Sequence, residues 1–141
     1  MTRTEIVALL ERHRTAFKSQ DVDRLAADHA LESSFESPAH GVVVGRAAIT
    51  DVYRYWFTAF PDLQLTWDEP LIDGDMAAVF WRFTGTSHGP FFGALGAGSR
   101  VELRGAAEYH LADGEIQRVR HIFDFSSMLM KTGVLKVKPG T

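Results

Sequence analysis

The chain has 141 residues, of which 45% are hydrophobic and 23% charged, a composition that is typical of a folded domain and excludes a disordered chain. Its net charge of −3 and its pI near 6.0 give no reason to expect nucleic acid or an anionic membrane as a partner. Cysteine is absent, which excludes disulfides, thiolate nucleophiles and cysteine metal sites.

The chain predicts a single domain over residues 1–135, followed by a flexible tail over residues 136–141. Its first residues lack the apolar segment of a signal peptide. No run of residues approaches the ~20 apolar positions that a membrane span needs. We therefore expect a cytoplasmic protein with neither a membrane nor a nucleic acid as partner.

The first half of the chain has the periodicity of helices, with apolar residues at three- and four-residue spacing. The helix that begins at Thr4 carries His13 on its apolar face. Asp21 is placed to cap the second helix, and Pro61 ends the third. The predicted elements are helices over 4–18, 21–30 and 47–60, and a short strand over 32–37.

From Leu63 onward, apolar and polar residues alternate, which predicts strands. Asp73-Gly74 and Asp113-Gly114 separate alternating segments, which is the strongest short-range signal for a β-hairpin. Helices followed by a meander of strands predict an α+β domain with helices packed on one face of an antiparallel sheet. The predicted strands cover residues 63–72, 75–88, 99–111 and 115–126.

The last two strands can be aligned across the Asp113-Gly114 turn. A register that pairs Tyr109 with Val119 places His121 on the apolar, concave face, where it is the lone ionisable side chain of the two strands. A partly buried imidazole can exchange a proton near neutral pH and is the commonest general acid or base. The alternative role of His121 is that of a core histidine hydrogen-bonded to a backbone carbonyl or to Tyr109.

Four segments carry a resemblance to a known family: Phe60–Leu63, Thr84–Gly93, Asp113–Ile116 and Asp124–Gly133. With this order of elements the chain resembles, over nearly its whole length, the SnoaL-like polyketide cyclases of the nuclear-transport-factor-2-like superfamily. The resemblance implies a cone-shaped, curved antiparallel sheet wrapped around the N-terminal helices, a cystatin-like α+β barrel with an internal pocket.

The resemblance also bears on the catalytic group. In these cyclases an aspartate on the last strand serves as acid/base, which implies that role for Asp124. Alternation instead turns Asp124 outward toward Arg104, unless a bulge near Ile122 and Phe123 turns it inward. Ketosteroid isomerases, another branch, use a tyrosine and an aspartate at the positions of His13 and Ser37, so their base is missing here. His121 and Asp124 both stand as candidate catalytic residues.

An aromatic pocket with methionine at its edge suits a flat apolar ligand such as a polycyclic ketone. Neither a metal nor a cofactor is expected, because His29 and His88 have no partner at metal-ligand spacing. The predicted substrate-binding residues are Tyr53, Trp56, Phe57, Trp81, Phe91, Phe92, Tyr109 and Met128.

The leading hypothesis is a cofactor-independent enzyme that performs aldol cyclisation or isomerisation on a hydrophobic carbonyl compound. One alternative is a non-catalytic hydrophobic-ligand-binding or dimerisation domain of the same fold, because fold does not determine function. Another is a hydrolase or isomerase that holds a water between His121 and Glu36. A homodimer is also predicted, because the outer face of the sheet mixes charges with Ala106 and Ile122.

Overall fold

The computed structural model describes residues 1–96, 98–136 and 138–140, and these residues form four helices and a seven-stranded sheet. Within these ranges the structure has no helix long and apolar enough to cross a membrane. The helices are α1 (Arg3–Lys18), α2 (Val22–Ala27), α3 (Arg46–Ala59) and α4 (Phe125–Lys131). The strands are β1 (His29–Ser37), β2 (Gly41–Val44), β3 (Gln64–Trp67), β4 (Leu71–Asp73), β5 (Met76–Thr86), β6 (Arg100–Ala112) and β7 (Glu115–Phe123).

The helix starts follow from local chemistry. Thr2 forms a capping box at α1: its hydroxyl accepts a hydrogen bond from the Glu5 amide at 3.2 Å, and its own amide donates to the Glu5 carboxylate at 2.8 Å. Asp21 caps α2 by accepting from the Arg24 amide at 3.0 Å, as predicted. The second helix ends earlier than predicted, because β1 already begins at His29.

The strand order is β2-β1-β7-β6-β5-β3, with β4 also paired to β5. The predicted α+β cone is confirmed, and its sheet is mixed, because β1 pairs parallel with β7 while the other pairs are antiparallel. The sequence prediction missed β2. The predicted strand over 63–72 is two strands, β3 and β4, with Pro70 in the interruption between them.

The predicted register of the last hairpin is confirmed. Tyr109 lies opposite Val119, and Glu108 lies opposite Arg120, with 3.3 Å between the Arg120 guanidinium and the Glu108 carboxylate. The register does shift, but between His110 and Leu111 rather than near Ile122. His121 therefore stays on the concave face.

Gly105 of β6 lets the indole of Trp81 lie directly on the strand. A Cβ atom at Gly105 would lie 2.5 Å from Cζ2 of Trp81 and 2.6 Å from the carbonyl oxygen of Ile122. Both distances are far inside van der Waals contact, so a larger residue must displace the indole. This glycine is therefore required for space, and it places Trp81 beside the candidate site.

We expect Gly105→Ala to lower the free energy of unfolding by about 1–3 kcal/mol, the usual effect of overpacking a core. Urea unfolding followed by tryptophan fluorescence measures the change. Gly140→Ala is the matched control, since a Cβ there meets nothing within 4 Å. Equal stability of Gly105→Ala and the wild type, with an unshifted tryptophan spectrum, would contradict this account.

Candidate active site

A cavity of about 80 Å³ lies between the concave face of the sheet and the helices. That volume holds several water molecules or part of a flat ligand. Aromatic and aliphatic side chains form most of its wall, and the polar exceptions are few. The lining residues are Phe17, Phe35, Ser37, Val52, Tyr53, Trp56, Phe57, Leu63, Leu65, Trp81, Phe83, His121, Phe123 and Met128.

His121 is one of the polar residues in this wall, and it is only 8% exposed. Its ring packs against Phe35 and Trp81, with centroid distances of 5.1 and 5.9 Å. Among the described residues, no group hydrogen-bonds to either ring nitrogen. Burial lowers the pKa of His121 to about 3, so the ring is neutral at pH 7. A neutral imidazole offers one N–H donor and one lone pair, and both are free for a ligand.

Asp124 occupies a different position from the one the resemblance implies. Strand β7 ends at Phe123, so the prediction of a strand to residue 126 is wrong. Asp124 is exposed and caps α4, accepting a hydrogen bond from the Ser127 amide at 3.0 Å. It does not border the cavity, and its carboxylate bonds the helix start rather than Arg104.

The predicted ligand contacts divide into two groups. Tyr53, Trp56, Phe57, Trp81 and Met128 line the cavity. The other predicted contacts, Phe91, Phe92 and Tyr109, do not.

Two of these three outlying aromatic residues, Tyr109 and Phe91, are buried in the core, and Phe92 is partly buried. Tyr109 is buried behind His121, with 6.5 Å between ring centroids. Phe91 is fully buried and packs on Trp56 at 5.2 Å. The Phe92 amide donates to the Tyr55 hydroxyl at 2.7 Å. The Phe91 and Phe92 rings also pack on each other, with 4.8 Å between their centroids.

A buried charged cluster behind the cavity was missed by sequence reasoning. The Asp28 carboxylate accepts from Arg12 Nε at 2.8 Å and from His13 Nδ1 at 2.9 Å. Burial alone would raise the pKa of Asp28, but the hydrogen bonds from His13 and Arg12 hold it below the ordinary value. Burial lowers the pKa of His13 and outweighs the raising effect of Asp28, so neutral His13 donates its Nδ1 proton.

A second buried chain reaches the cavity wall. His29 Nε2 lies 2.6 Å from the Tyr53 hydroxyl, and His29 Nδ1 lies 3.1 Å from the Ser33 hydroxyl. Burial lowers the pKa of His29 to about 3 and raises that of Tyr53 well above its ordinary value, so both groups are neutral. The spacing of histidines along the sequence does not reveal these hydrogen bonds. Ser33 meets His29 because β1 is irregular there, and Tyr53 comes from α3.

Glu36 lies on the outer face of the sheet, where its carboxylate is 4.0 Å from the Arg120 guanidinium and its side chain is 38% exposed. It does not line the cavity, so the hypothesis of a water held between His121 and Glu36 is wrong. In residues 1–96, 98–136 and 138–140, no three histidine, aspartate or glutamate side chains are placed to hold a metal ion.

The buried histidines predict a loss of stability in acid. His29 and His121 have folded-state pKa values of about 3, below their ordinary value of 6.5, so the unfolded chain binds protons first as the pH falls. The contribution of neutral His29 and His121 to the free energy of unfolding is complete above pH 6.5 and is lost as the pH falls toward 3. Within this window each histidine should lower the free energy of unfolding by about 1.4 kcal/mol for every unit by which the pH falls.

We expect the free energy of unfolding of His121→Phe to depend less steeply on pH, with a slope smaller by about 1.4 kcal/mol per pH unit because one titrating group is gone. Urea titrations between pH 4.5 and pH 7.5 compare the two slopes. His110→Phe is the control, because His110 is partly exposed on the outer face beside Glu108. Parallel curves for His121→Phe and the wild type would show that His121 does not titrate as described.

A comparison with known protein families assigns the chain to a family. The family model for the SnoaL-like polyketide cyclases matches residues 7–131. The chain therefore belongs to the SnoaL-like polyketide cyclase family. No curated protein sequence matches it significantly.

Solved structures with the same fold cover nearly the whole chain. A Jannaschia sp. CCS1 protein described as a candidate SnoaL-like polyketide cyclase is 21% identical with a TM-score of 0.83, covering 94% of each chain. TsrD from Streptomyces laurentii is 24% identical with a TM-score of 0.81, covering 96% of this chain and 99% of its own. A Catenulispora acidiphila protein with a ketosteroid isomerase-like fold, bound to trimethylamine, is 17% identical with a TM-score of 0.76, covering 93% and 97%. Identities this low establish the fold alone.

Proposed function

We propose that this protein is a cofactor-independent enzyme that performs acid/base chemistry on a hydrophobic carbonyl compound, by aldol cyclisation or isomerisation. The observation that carries the proposal is His121, a neutral imidazole without a described hydrogen-bond partner in the wall of a mainly apolar cavity. A ligand in this cavity that carries a polar atom can hydrogen-bond to a ring nitrogen of His121, which has no partner among the described residues.

We assign the acid/base role to His121 rather than to Asp124, because His121 borders the cavity and Asp124 caps α4. The lone pair of neutral His121 takes the proton α to the carbonyl. The electron pair of the broken C–H bond forms the carbon–carbon double bond of an enolate, and the carbonyl π pair moves to oxygen. The enolate stabilises the adjacent imidazolium, because opposite charges attract strongly where water is excluded.

The cavity wall suits a flat, apolar substrate. Trp56, Phe57 and Trp81 present aromatic surface, and Met128 adds an adaptable thioether. The indole N–H of Trp81 has no hydrogen-bond partner in the described structure. A ring system carrying a carbonyl group would match the apolar wall and present a polar atom to His121.

Exchange of the α-protons of α-tetralone in heavy water, followed by proton NMR, tests the proposal directly. We expect the wild-type protein to accelerate exchange well above the buffer rate, because proton abstraction is the first step of either reaction. Binding of α-tetralone without any acceleration would overturn the enzyme and support the non-catalytic, ligand-binding alternative.

We further propose that the protein is a homodimer assembled through the outer face of the sheet. Phe80, Ala106 and Ile122 are cross-strand neighbours there, and Phe80 and Ile122 are 53% and 60% exposed. Glu108 and Arg120 lie beside this apolar row, so both signs of charge are available to a twofold-related copy. A contiguous apolar row rimmed by charges is typical of an interface.

Ile122→Glu should convert the dimer to a monomer, because it places a charge in the centre of the proposed interface. Sedimentation velocity measures the mass of the particle. Val7→Glu is the control: Val7 is an exposed apolar residue on α1, 48% accessible and remote from this face. A wild-type protein that sediments as a monomer, or an Ile122→Glu variant that remains dimeric, would contradict the proposal.

A further inference from the structure

Ser37 lies beside His121 in the cavity wall. Strands β1 and β7 run parallel, with Phe35 opposite Val119 and Glu36 opposite Arg120. The next step of that register brings Ser37 next to His121, and adjacent strands are about 4.8 Å apart. Both residues line the cavity and both are buried, with 6% of Ser37 and 8% of His121 exposed. Two polar side chains thus stand next to each other in a mainly apolar wall.

The hydroxyl of Ser37 is oriented by the turn that follows β1. Its oxygen accepts a hydrogen bond from the His40 amide at 3.1 Å. A hydroxyl has one proton to donate and two lone pairs, so this bond leaves the proton free. In the described residues the proton has no protein acceptor. Ser37 is therefore a pre-positioned donor at the cavity.

We propose that Ser37 is a second catalytic residue, which donates a hydrogen bond to the carbonyl oxygen of the compound whose α-proton His121 removes. This inference rests on the proposed function and adds the group that stabilises the oxygen. In a carbonyl compound a single carbon separates the oxygen from the α-carbon, so one ligand can reach both side chains at once. Donors fixed before the reaction are the most effective stabilisers of a developing oxyanion.

The atoms and electrons of the step balance without a co-reactant. The α-proton moves to His121, the C–H electron pair enters the new carbon–carbon double bond, and the negative charge develops on the carbonyl oxygen. Ser37 keeps its proton throughout and only shortens its hydrogen bond as the charge grows. The proton returns from the His121 imidazolium when the enolate attacks or rearranges. The neutral state of His121 is supported by burial, which lowers its pKa to about 3.

Two variants separate this role from a structural one. Ser37→Ala removes the donor and also the acceptor for the His40 amide, whereas Ser37→Thr keeps the hydroxyl. Ser34→Ala is the matched control, because Ser34 lies on the same strand at a position that does not line the cavity. Each variant is measured for α-tetralone exchange and for binding of β-naphthol and naphthalene, followed by ligand fluorescence.

We expect Ser37→Ala to lower the exchange rate at saturating α-tetralone about 10²-fold and the affinity for α-tetralone only about 3–10-fold, and Ser37→Thr to restore most of both. The preference for β-naphthol over naphthalene should fall by about 3–10-fold in Ser37→Ala, the value of one neutral hydrogen bond. An unchanged preference in Ser37→Ala, a Ser37→Thr variant as impaired as Ser37→Ala, or a wild-type protein that binds neither probe would overturn the role of Ser37.

The outcome for Ser37 can be distinguished from the outcome for the enzyme. If the wild-type protein prefers β-naphthol and loses that preference in Ser37→Ala, but does not exchange α-tetralone, Ser37 is a ligand donor and catalysis fails. If the wild-type protein exchanges α-tetralone and Ser37→Ala exchanges it equally fast, the enzyme stands and the catalytic role of Ser37 fails.

Discussion

Replacement of His121 by phenylalanine is expected to slow α-proton exchange of a bound carbonyl compound by about 10²–10⁴-fold, the usual contribution of a general base. Phenylalanine keeps a planar aromatic ring that suits the contacts with Phe35 and Trp81, and the adjoining cavity can take its larger volume, so the fold should persist. Proton NMR measures exchange, and near-ultraviolet circular dichroism confirms the packing.

The control for this result is His110→Phe, the same change on the outer face of the neighbouring strand. Asp124→Asn provides a second comparison, because it keeps an N-cap of α4 while removing the charge. Full activity in His121→Phe together with a large loss in Asp124→Asn would reassign the acid/base to Asp124. Full activity in both His121→Phe and Asp124→Asn would show that neither residue is the acid/base.

Asp28→Ala is expected to lower the free energy of unfolding by about 1–3 kcal/mol, the cost of leaving a buried hydrogen-bond donor without its acceptor. Asp28 is 2% exposed and accepts from both Arg12 and His13, so its removal leaves the buried Nδ1–H of His13 without an acceptor, whereas Arg12 is 38% exposed and can turn to water. Urea unfolding at pH 7 measures the loss.

The comparison variant for Asp28 is Asp51→Ala, which breaks an ion pair with Arg54 on the surface of α3. The carboxylate of Asp51 is 79% exposed and lies 3.6 Å from the guanidinium, so its loss should cost at most about 0.5 kcal/mol. If both variants lose the same small amount, the buried cluster around Asp28 contributes no more than a surface pair.

Much of the fold could be read from the chain because the relevant forces are local. The α1 helix follows from apolar residues at three- and four-residue spacing along one face. The hairpin at Asp113-Gly114 follows from its turn chemistry, and its register from the charge match of Glu108 with Arg120. That register was enough to place His121 on the concave face.

The extent of β7 could not be read in the same way. Alternation continues through Asp124 in the sequence, but the backbone leaves the sheet there and Asp124 bonds the start of α4. A capping aspartate and a strand aspartate look alike when only neighbouring residues are compared. The role of Phe91 and Phe92 could not be read locally either, because whether such rings pack on each other or on a ligand depends on distant chain segments.

The sequence by itself determined the class of fold, the first three helices, the hairpins at Asp73-Gly74 and Asp113-Gly114, and the face on which His121 lies, since each depends on residues close together along the chain. The tertiary structure alone decided which distant polar groups meet. The parallel pairing of β1 with β7 brings Ser37 beside His121, and the packing of α1 against α2 brings His13 to Asp28. Such contacts depend on the global arrangement of strands and helices. Burial removes water, so a buried polar group can hydrogen-bond only to the protein groups that this arrangement brings to it.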